Sequence, residues 1–270
     1  MKVTIVVDNI EHAGIPGEWG FCAYIEQNGK KLLLDTGASN LFAENAEKLN
    51  IDLKDIDFAV LSHAHYDHAN GMEKFFEINR KATFYLQEGC GENCYFKKGF
   101  IRKYIGIPKG ITKKYQDRIE YVSGVYTVAD GIYLVSHSTP HLEQIGKKEM
   151  MYQKTKLGWK PDNFCHEQSL VLDTDGGLVI FNSCSHGGVV NIINEVKAAF
   201  PNKKITALIG GFHIFNHPEA EIRELAKLIK ETGIERIYTG HCSKERGYRI
   251  LREELGDMAG QFYVGMELVF

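Results

Sequence analysis

Apolar positions along the chain follow two periods. Thr4–Val7, Cys22–Glu26, Lys31–Asp35 and Phe58–Leu61 are short apolar or β-branched runs and read as strands, with Gln27-Asn28-Gly29-Lys30 as a hairpin turn. In Asn40–Leu49 the period lengthens: Phe42, Ala46 and Leu49 share one helical face. Gly71–Ile78 reads as a short helix and Thr83–Gln87 as a further strand. The second half repeats the alternation. Tyr121–Tyr126 and Ile132–Ser136 are strand candidates, and Ser169–Asp173 with Gly177–Asn182 make a hairpin about Thr174-Asp175-Gly176. Val189–Phe200 is a helix that Pro201 ends, and Ile205–Ile209 a strand. Pro218–Thr232 is a helix with Pro in its first turn and Gly233 at its stop. Arg236–Tyr238, Lys244–Leu255 and Gln261–Phe270 complete the pattern as strand, helix and closing strand.

Two β-rich halves that each carry helices predict an α+β sandwich of two sheets with helices outside, in one domain spanning 1–270. The stretch from about 88 to 161 breaks the rhythm. It is rich in Lys, Tyr and Gly and reads as an inserted lid. Hydrophobic residues make up 44% and charged residues 25%, which allows a sizeable core. The net charge of −3 disfavours a broad nucleic-acid footprint, which needs a basic face, but leaves room for a local basic pocket. No run is long enough for a membrane span, and the start lacks the marks of a signal peptide, so a cytoplasmic protein with six reduced cysteines is expected. A homo-oligomer is left open.

The candidate chemistry is concentrated in His63-Ala64-His65-Tyr66-Asp67-His68, directly after an apolar strand. His63 and His65 are two apart, so an extended backbone can aim both the same way. Imidazole and carboxylate together suit Zn2+, one ion or two, and Fe or Mn also fit. Four ligand-type side chains in six residues are too dense for a polar surface loop and suggest two ions.

This His-x-His-x-Asp-His run resembles the signature of the metallo-β-lactamase superfamily, and the resemblance extends over essentially the whole chain. It implies a four-layer αβ/βα sandwich with a metal centre at one edge. Leu32-Leu33-Leu34-Asp35-Thr36-Gly37 matches the family's upstream strand, so by resemblance Asp35 braces the metal loop. Tyr238-Thr239-Gly240-His241 matches the late strand that ends in a histidine ligand. The middle of the chain departs from the common pattern: Cys184 falls where the family's metal-bridging Asp usually sits, and His186 follows two residues later. A thiolate ligand at Cys184 competes with a plain buried thiol there. For the third histidine of the first ion His186 is preferred, with Asp162, His137 and His141 as rivals.

Ser183-Cys184-Ser185-His186-Gly187-Gly188, Gly210-Gly211-Phe212-His213, Phe164-Cys165-His166-Glu167-Gln168 and Val7-Asp8-Asn9 are similar to a subgroup typified by archaeal 7,8-dihydropterin-6-methyl-4-(β-D-ribofuranosyl)aminobenzene 5′-phosphate synthase. The implied metal ligands are His63, His65 and His186 for one ion and Asp67, His68 and His241 for the other, with Cys184 at or between them. The implied activity is hydrolysis by a metal-bound hydroxide at a one- or two-metal centre, which Asp67 would orient. The expected substrate is a small anionic molecule, phosphorylated or pterin-like. His213 and His166 are candidate proton donors or anion binders, against the plainer reading of hydrogen-bonded structural histidines. The basic, aromatic run Lys97, Lys98, Arg102, Lys103, Tyr104 would clamp an anion or simply face solvent. Cys90 and Cys94 lack a second ligand pair for a zinc clip. The competing functions are a phosphodiesterase or nuclease, and a non-catalytic metal-binding or redox module.

Overall fold

A computed structural model describes all 270 residues. One seven-stranded mixed sheet runs Glu267–Val269, Lys2–Val7, Cys22–Gln27, Lys30–Leu34, Phe58–Val60, Thr83–Gln87, Ile119–Val122. A second runs Ala259–Gln261, Arg236–Thr239, Ile205–Gly210, Gly177–Phe181, Gln168–Thr174, Ile132–Ser136, Val125–Ala129. The strands show why the layers form. Leu32 and Leu34 point into the space between the sheets, where they meet Val179 and Phe181. Leu33 points the other way, onto the helices Leu41–Lys48 and Met72–Ile78, and Leu178 and Ile180 onto Val189–Ala199, Glu219–Glu231 and Lys244–Leu255. A strand that is apolar at consecutive positions has to be covered on both faces. The result is the expected helix–sheet–sheet–helix sandwich. No helix is long and apolar enough to cross a membrane.

Phe84 illustrates the packing of the outer layer. It is fully buried, with ring centroids 5.6 Å from both Phe75 and Phe76. Phe84→Ala is expected to lower stability by about 3–5 kcal/mol through lost burial and the cavity left behind. Urea unfolding measures this, and a loss below about 1 kcal/mol would show that the layer can collapse around the gap.

Three elements differ from the sequence reading. Tyr121–Tyr126 is not one strand: Ile119–Val122 pairs with Thr83–Gln87 in the first sheet, and Val125–Ala129 pairs with Ile132–Ser136 in the second. The chain changes sheets at Ser123-Gly124, where Gly124 takes φ +65°, and apolar alternation looks the same on either side of such a crossing. Gln261–Phe270 is likewise split. Ala259–Gln261 edges one sheet and Glu267–Val269 the other, with a turn at Gly265 between them. The stretch 88–161 is well furnished with elements. Part of it supplies main-sheet strands, and Cys94–Lys98, Ile101–Tyr104, Met151–Thr155 and Gly158–Pro161 form a separate four-stranded antiparallel sheet. Its Lys- and Tyr-rich strands bury few side chains fully, so they lack the apolar alternation by which strands are read.

Both main sheets contain a parallel block, Lys30–Leu34 with Phe58–Val60 in the first and Gly177–Phe181 with Ile205–Gly210 and Arg236–Thr239 in the second. The loops leaving the carboxyl ends of these strands carry Asp35, His63–His68, Cys184–His186, His213 and His241. Parallel alignment thus brings them to one edge of the sandwich.

Candidate metal centre

Two sets of three donors converge there. In the first, the Nε2 of His186 lies 3.1 Å from Nδ1 of His65 and 3.3 Å from Nε2 of His63. In the second, the Nε2 atoms of His68 and His241 are 3.2 Å apart, and Asp67 Oδ2 lies 3.9 and 3.7 Å from them. The rings of His63 and His68 adjoin at 4.2 Å, so the sets are neighbours.

Surrounding groups decide which nitrogen each ring presents. Asp35 is fully buried at the end of its strand with φ 60°. Its Oδ1 accepts the Ser62 N–H, and its Oδ2 accepts the Ser62 hydroxyl and the Nδ1–H of His68, each at 2.7–2.8 Å. With its one proton given to Asp35, Ser62 Oγ accepts from Nδ1–H of His63 at 2.8 Å. Asn9 Oδ1 faces Nδ1 of His241 at 3.3 Å, and Asp8 Oδ1 accepts the His241 N–H at 2.7 Å. His63, His68 and His241 therefore all turn Nε2 to the centre. Gly71 lets the next helix seat against the Asp35 loop, because a Cβ there would collide with the Thr36 carbonyl and the Phe42 ring.

The donor set fits a cation. Burial first, and repulsion between neighbouring imidazoles second, push His63, His65, His186 and His241 well below the ordinary histidine range, leaving lone pairs uncapped. One N–H of His186 cannot serve both of the nitrogens that face it, and the buried Nε2 of His65 and Nδ1 of His186 have no partner. A positive ion at the focus of each set resolves a convergence of acceptors that hydrogen bonds do not.

Cys184 lies among these groups. Its Sγ falls with ring nitrogens of His63 and His68 inside one 4.8 Å cluster and is 3.5 Å from Nδ1 of His213. The sequence reading missed Cys242, whose Sγ is 3.1 Å from that of Cys184. Its only signal was adjacency to His241. Burial opposes its ionisation, but the Cys184 thiol and His213 favour it and bring Cys242 down to about 6. Burial and the neighbouring Cys242 hold Cys184 up. Ser185, His213 and His241 have φ of 47°, 51° and 45°, backbone strain gathered at the site.

Of the two proposed proton donors, His213 lines the cleft and His166 does not. His166 is fully buried behind His65, where its Nδ1 accepts the Ala64 N–H at 3.2 Å and its Nε2 meets Asp162 Oδ2 at 3.1 Å. His166 thus does not line the cleft, and with His65, Cys94 and Asp162 it forms a further buried group whose donor atoms lie within 4.8 Å of one another. His141 is exposed beside Glu143, and His137 is enclosed by Glu167 and Glu195. Glu167 in turn accepts the backbone N–H groups of His186 and Gly187.

Above the donors is a cleft of about 390 Å³. Its floor includes His65, Asp67, His186, Cys184 and Cys242, and the small sheet contributes Phe96, Lys103 and Met151 as a facing wall. Trp19 and Phe215 flank it, and the exposed Lys244 sits 5.2 and 5.3 Å from their ring centroids. Lys103 stands 5.8 Å from the Tyr66 ring centroid.

Known proteins resemble this chain in sequence and in fold. A family profile described as the metallo-beta-lactamase superfamily matches residues 19–147. The 7,8-dihydropterin-6-methyl-4-(beta-D-ribofuranosyl)-aminobenzene-5'-phosphate synthase of Methanocaldococcus jannaschii is 28% identical over 273 aligned positions, covering 93% of this chain and 88% of the relative. The crystal structure of Tm1679, described as a metal-dependent hydrolase of the beta-lactamase superfamily, superposes with a TM-score of 0.85 at 27% identity over 100% of this chain and 99% of the other. Zn(2+)-bound PqqB from Methylobacterium extorquens shares the fold at a TM-score of 0.60 and 12% identity, with both chains fully covered.

Proposed function

We propose that this chain is a metal-dependent hydrolase of the metallo-beta-lactamase superfamily, that its two donor sets hold a pair of divalent cations, zinc by preference, and that it hydrolyses a small anionic substrate, phosphorylated or pterin-like. The observation that carries this reading is the pair of converging donor sets, which reach a cleft through His65, His186 and Asp67, with aromatic walls, Lys103 in its lining and Lys244 beside its Trp19 and Phe215. Cations bound there would supply Lewis acidity and an acidified water.

The side chains of the chain do the rest. His63, His65 and His186 form one ligand set, and Asp67, His68 and His241 the other. Asp67 also reaches the cleft, where its free carboxylate oxygen can orient a water and take up its proton. His213 is raised above the ordinary histidine range. Burial opposes this, but Cys242 and Glu149 prevail, so His213 holds a proton suited to a leaving group. Lys103 and Lys244 draw an anion toward the mouth, and Trp19, Tyr66, Phe96 and Phe215 offer flat surfaces to a ring. The archaeal relative's name joins a pterin and an aminobenzene to a phosphate, a combination this lining suits. With all six cysteines free, the enzyme works in a reducing compartment, which the cytoplasm provides.

Metal analysis of the purified protein, followed by hydrolysis assays on phosphomonoesters, phosphodiesters, lactones and thioesters, tests the proposal. A cation-loaded enzyme that prefers phosphorylated substrates supports it. A preference for uncharged lactones refutes the anionic substrate, and protein that takes up no cation refutes the whole reading. Lys103→Ala and Lys244→Ala are each expected to raise KM about fivefold with little change in kcat, as suits a rim charge worth ~1 kcal/mol. Added salt should shrink the difference, and an effect confined to kcat would place these lysines elsewhere in the reaction.

A further inference from the structure

Cys242 has no place in the two donor sets, yet it is fully buried among them and opens only onto the cleft. We propose that Cys242 is a thiolate ligand of the second cation, next to Cys184 at the bridging position, so that the centre is thiolate-rich and selects soft cations. The inference rests on the two-cation reading above.

Placement is the first argument. The Sγ atoms of Cys184 and Cys242 and a ring nitrogen of His241 lie within 4.8 Å of one another. Around a single tetrahedral zinc, bonds of ~2.3 Å to sulfur and ~2.0 Å to nitrogen set such donors about 3.5 Å apart. Small side-chain rotations therefore bring the set onto one ion. Cys242 also sits in the one-turn segment His241–Ser243, so the same tight turn that aims His241 aims its sulfur.

The surroundings of the sulfur are the second argument. The His213 backbone N–H donates to Cys242 Sγ at 3.2 Å. An N–H aimed at sulfur is the kind of outer contact that steadies a ligating thiolate. Gly211 makes room for it, since a Cβ there would stand against Cys242 Sγ. A thiol present only to fill space needs neither feature.

Charge is the third argument. Asp67, Cys184 and Cys242 as anions would offset three of the four positive charges of two divalent ions, leaving the fourth for an incoming anion. Thiolates discriminate against hard cations such as manganese or magnesium in a way that a carboxylate at the same place does not.

Cobalt(II) loaded under reductant tests this, because a thiolate on cobalt gives a near-ultraviolet charge-transfer band that imidazole and carboxylate do not. The unaltered protein is expected to show the band, Cys242→Ser to lose about a third of it, and the Cys184→Ser/Cys242→Ser pair to lose all of it. Cys242→Ser should also lower the preference for zinc over manganese, on the order of tenfold by competition. If Cys242→Ser does not fold, X-ray absorption of the unaltered zinc protein decides. Cys184 bridging together with Cys242 gives about 1.5 sulfurs per zinc, and Cys184 alone about 1.0. A Cys242→Ser protein with two cations and an undiminished band overturns the inference but leaves the hydrolase reading standing. A chain that binds no cation overturns both.

Discussion

His65→Ala is expected to remove a cation from the first donor set and to lower turnover by more than the ~100-fold that loss of an outer partner costs a metal site. The ring lies between two groups. Its Nδ1 joins the His63–His186 convergence, and its body forms part of the cleft floor. Removal therefore opens the ligand set and the substrate surface together. Asp35→Asn is the graded companion. It touches no cation, but it exchanges an acceptor of three hydrogen bonds for a side chain that can misplace Ser62 and His68. An effect of about 10–100-fold on metal affinity is expected. Metal content and kcat measured on both variants should fall in that order. A His65→Ala protein with full metal and full turnover would show that the assigned centre is not where the chemistry happens.

Glu167→Ala is expected to cost about 3–5 kcal/mol of stability, the usual consequence of stripping one partner from a buried ion pair. Glu167 is fully buried and receives Nε2–H of His137 at 2.5 Å, while Glu195 holds the opposite ring nitrogen at 2.8 Å. Because Glu167 also fixes the His186 backbone, metal affinity should drop with it. The pairing sets a pH window. Burial pulls His137 down, but Glu167 and then Glu195 override it and raise it to about 10. A raised folded-state value means that this stabilisation is complete below the ordinary histidine value of 6.5, declines above it and is gone beyond about 10. Glu195 behaves oppositely. Burial opposes, but His137 holds it below the ordinary 4.5, so its contribution is complete above 4.5 and is lost as pH falls through the lowered value. Denaturant midpoints of the metal-loaded protein should therefore decline from neutral to alkaline pH more steeply than those of His137→Gln. Parallel slopes would exclude His137 as the group responsible.

How far the site could be read in advance depended on how local its parts are. His63–His68 is legible because four donors share one loop, and Asp35 and His241 are legible through the resemblance of the strands they end to those of the metallo-β-lactamase superfamily. Cys242 and Asn9 carry no such mark. Their roles come from sheet edges that bring positions 9, 184 and 242 together, and the loss of sequence proximity hides the contact. His166 shows the reverse. It has the residue type and position of a substrate contact, but the loop before Gln168–Thr174 turns its ring inward to Ala64 and Asp162. The direction of a side chain at a loop depends on packing from both sides, which one stretch of sequence does not contain.

The sequence alone determined the layered architecture, because strands that are apolar at consecutive positions must bury both faces and helices of period 3.6 must cover the outer ones. It also determined the donor types, since ligand chemistry belongs to the side chains themselves. Only the tertiary structure decided the sheet change at Ser123-Gly124, the four-stranded sheet that walls the cleft, and the sorting of six candidate ligands into two converging sets with two thiols beside them. Those are matters of which distant strand ends meet, and that is settled by the global packing of two sheets rather than by any local pattern.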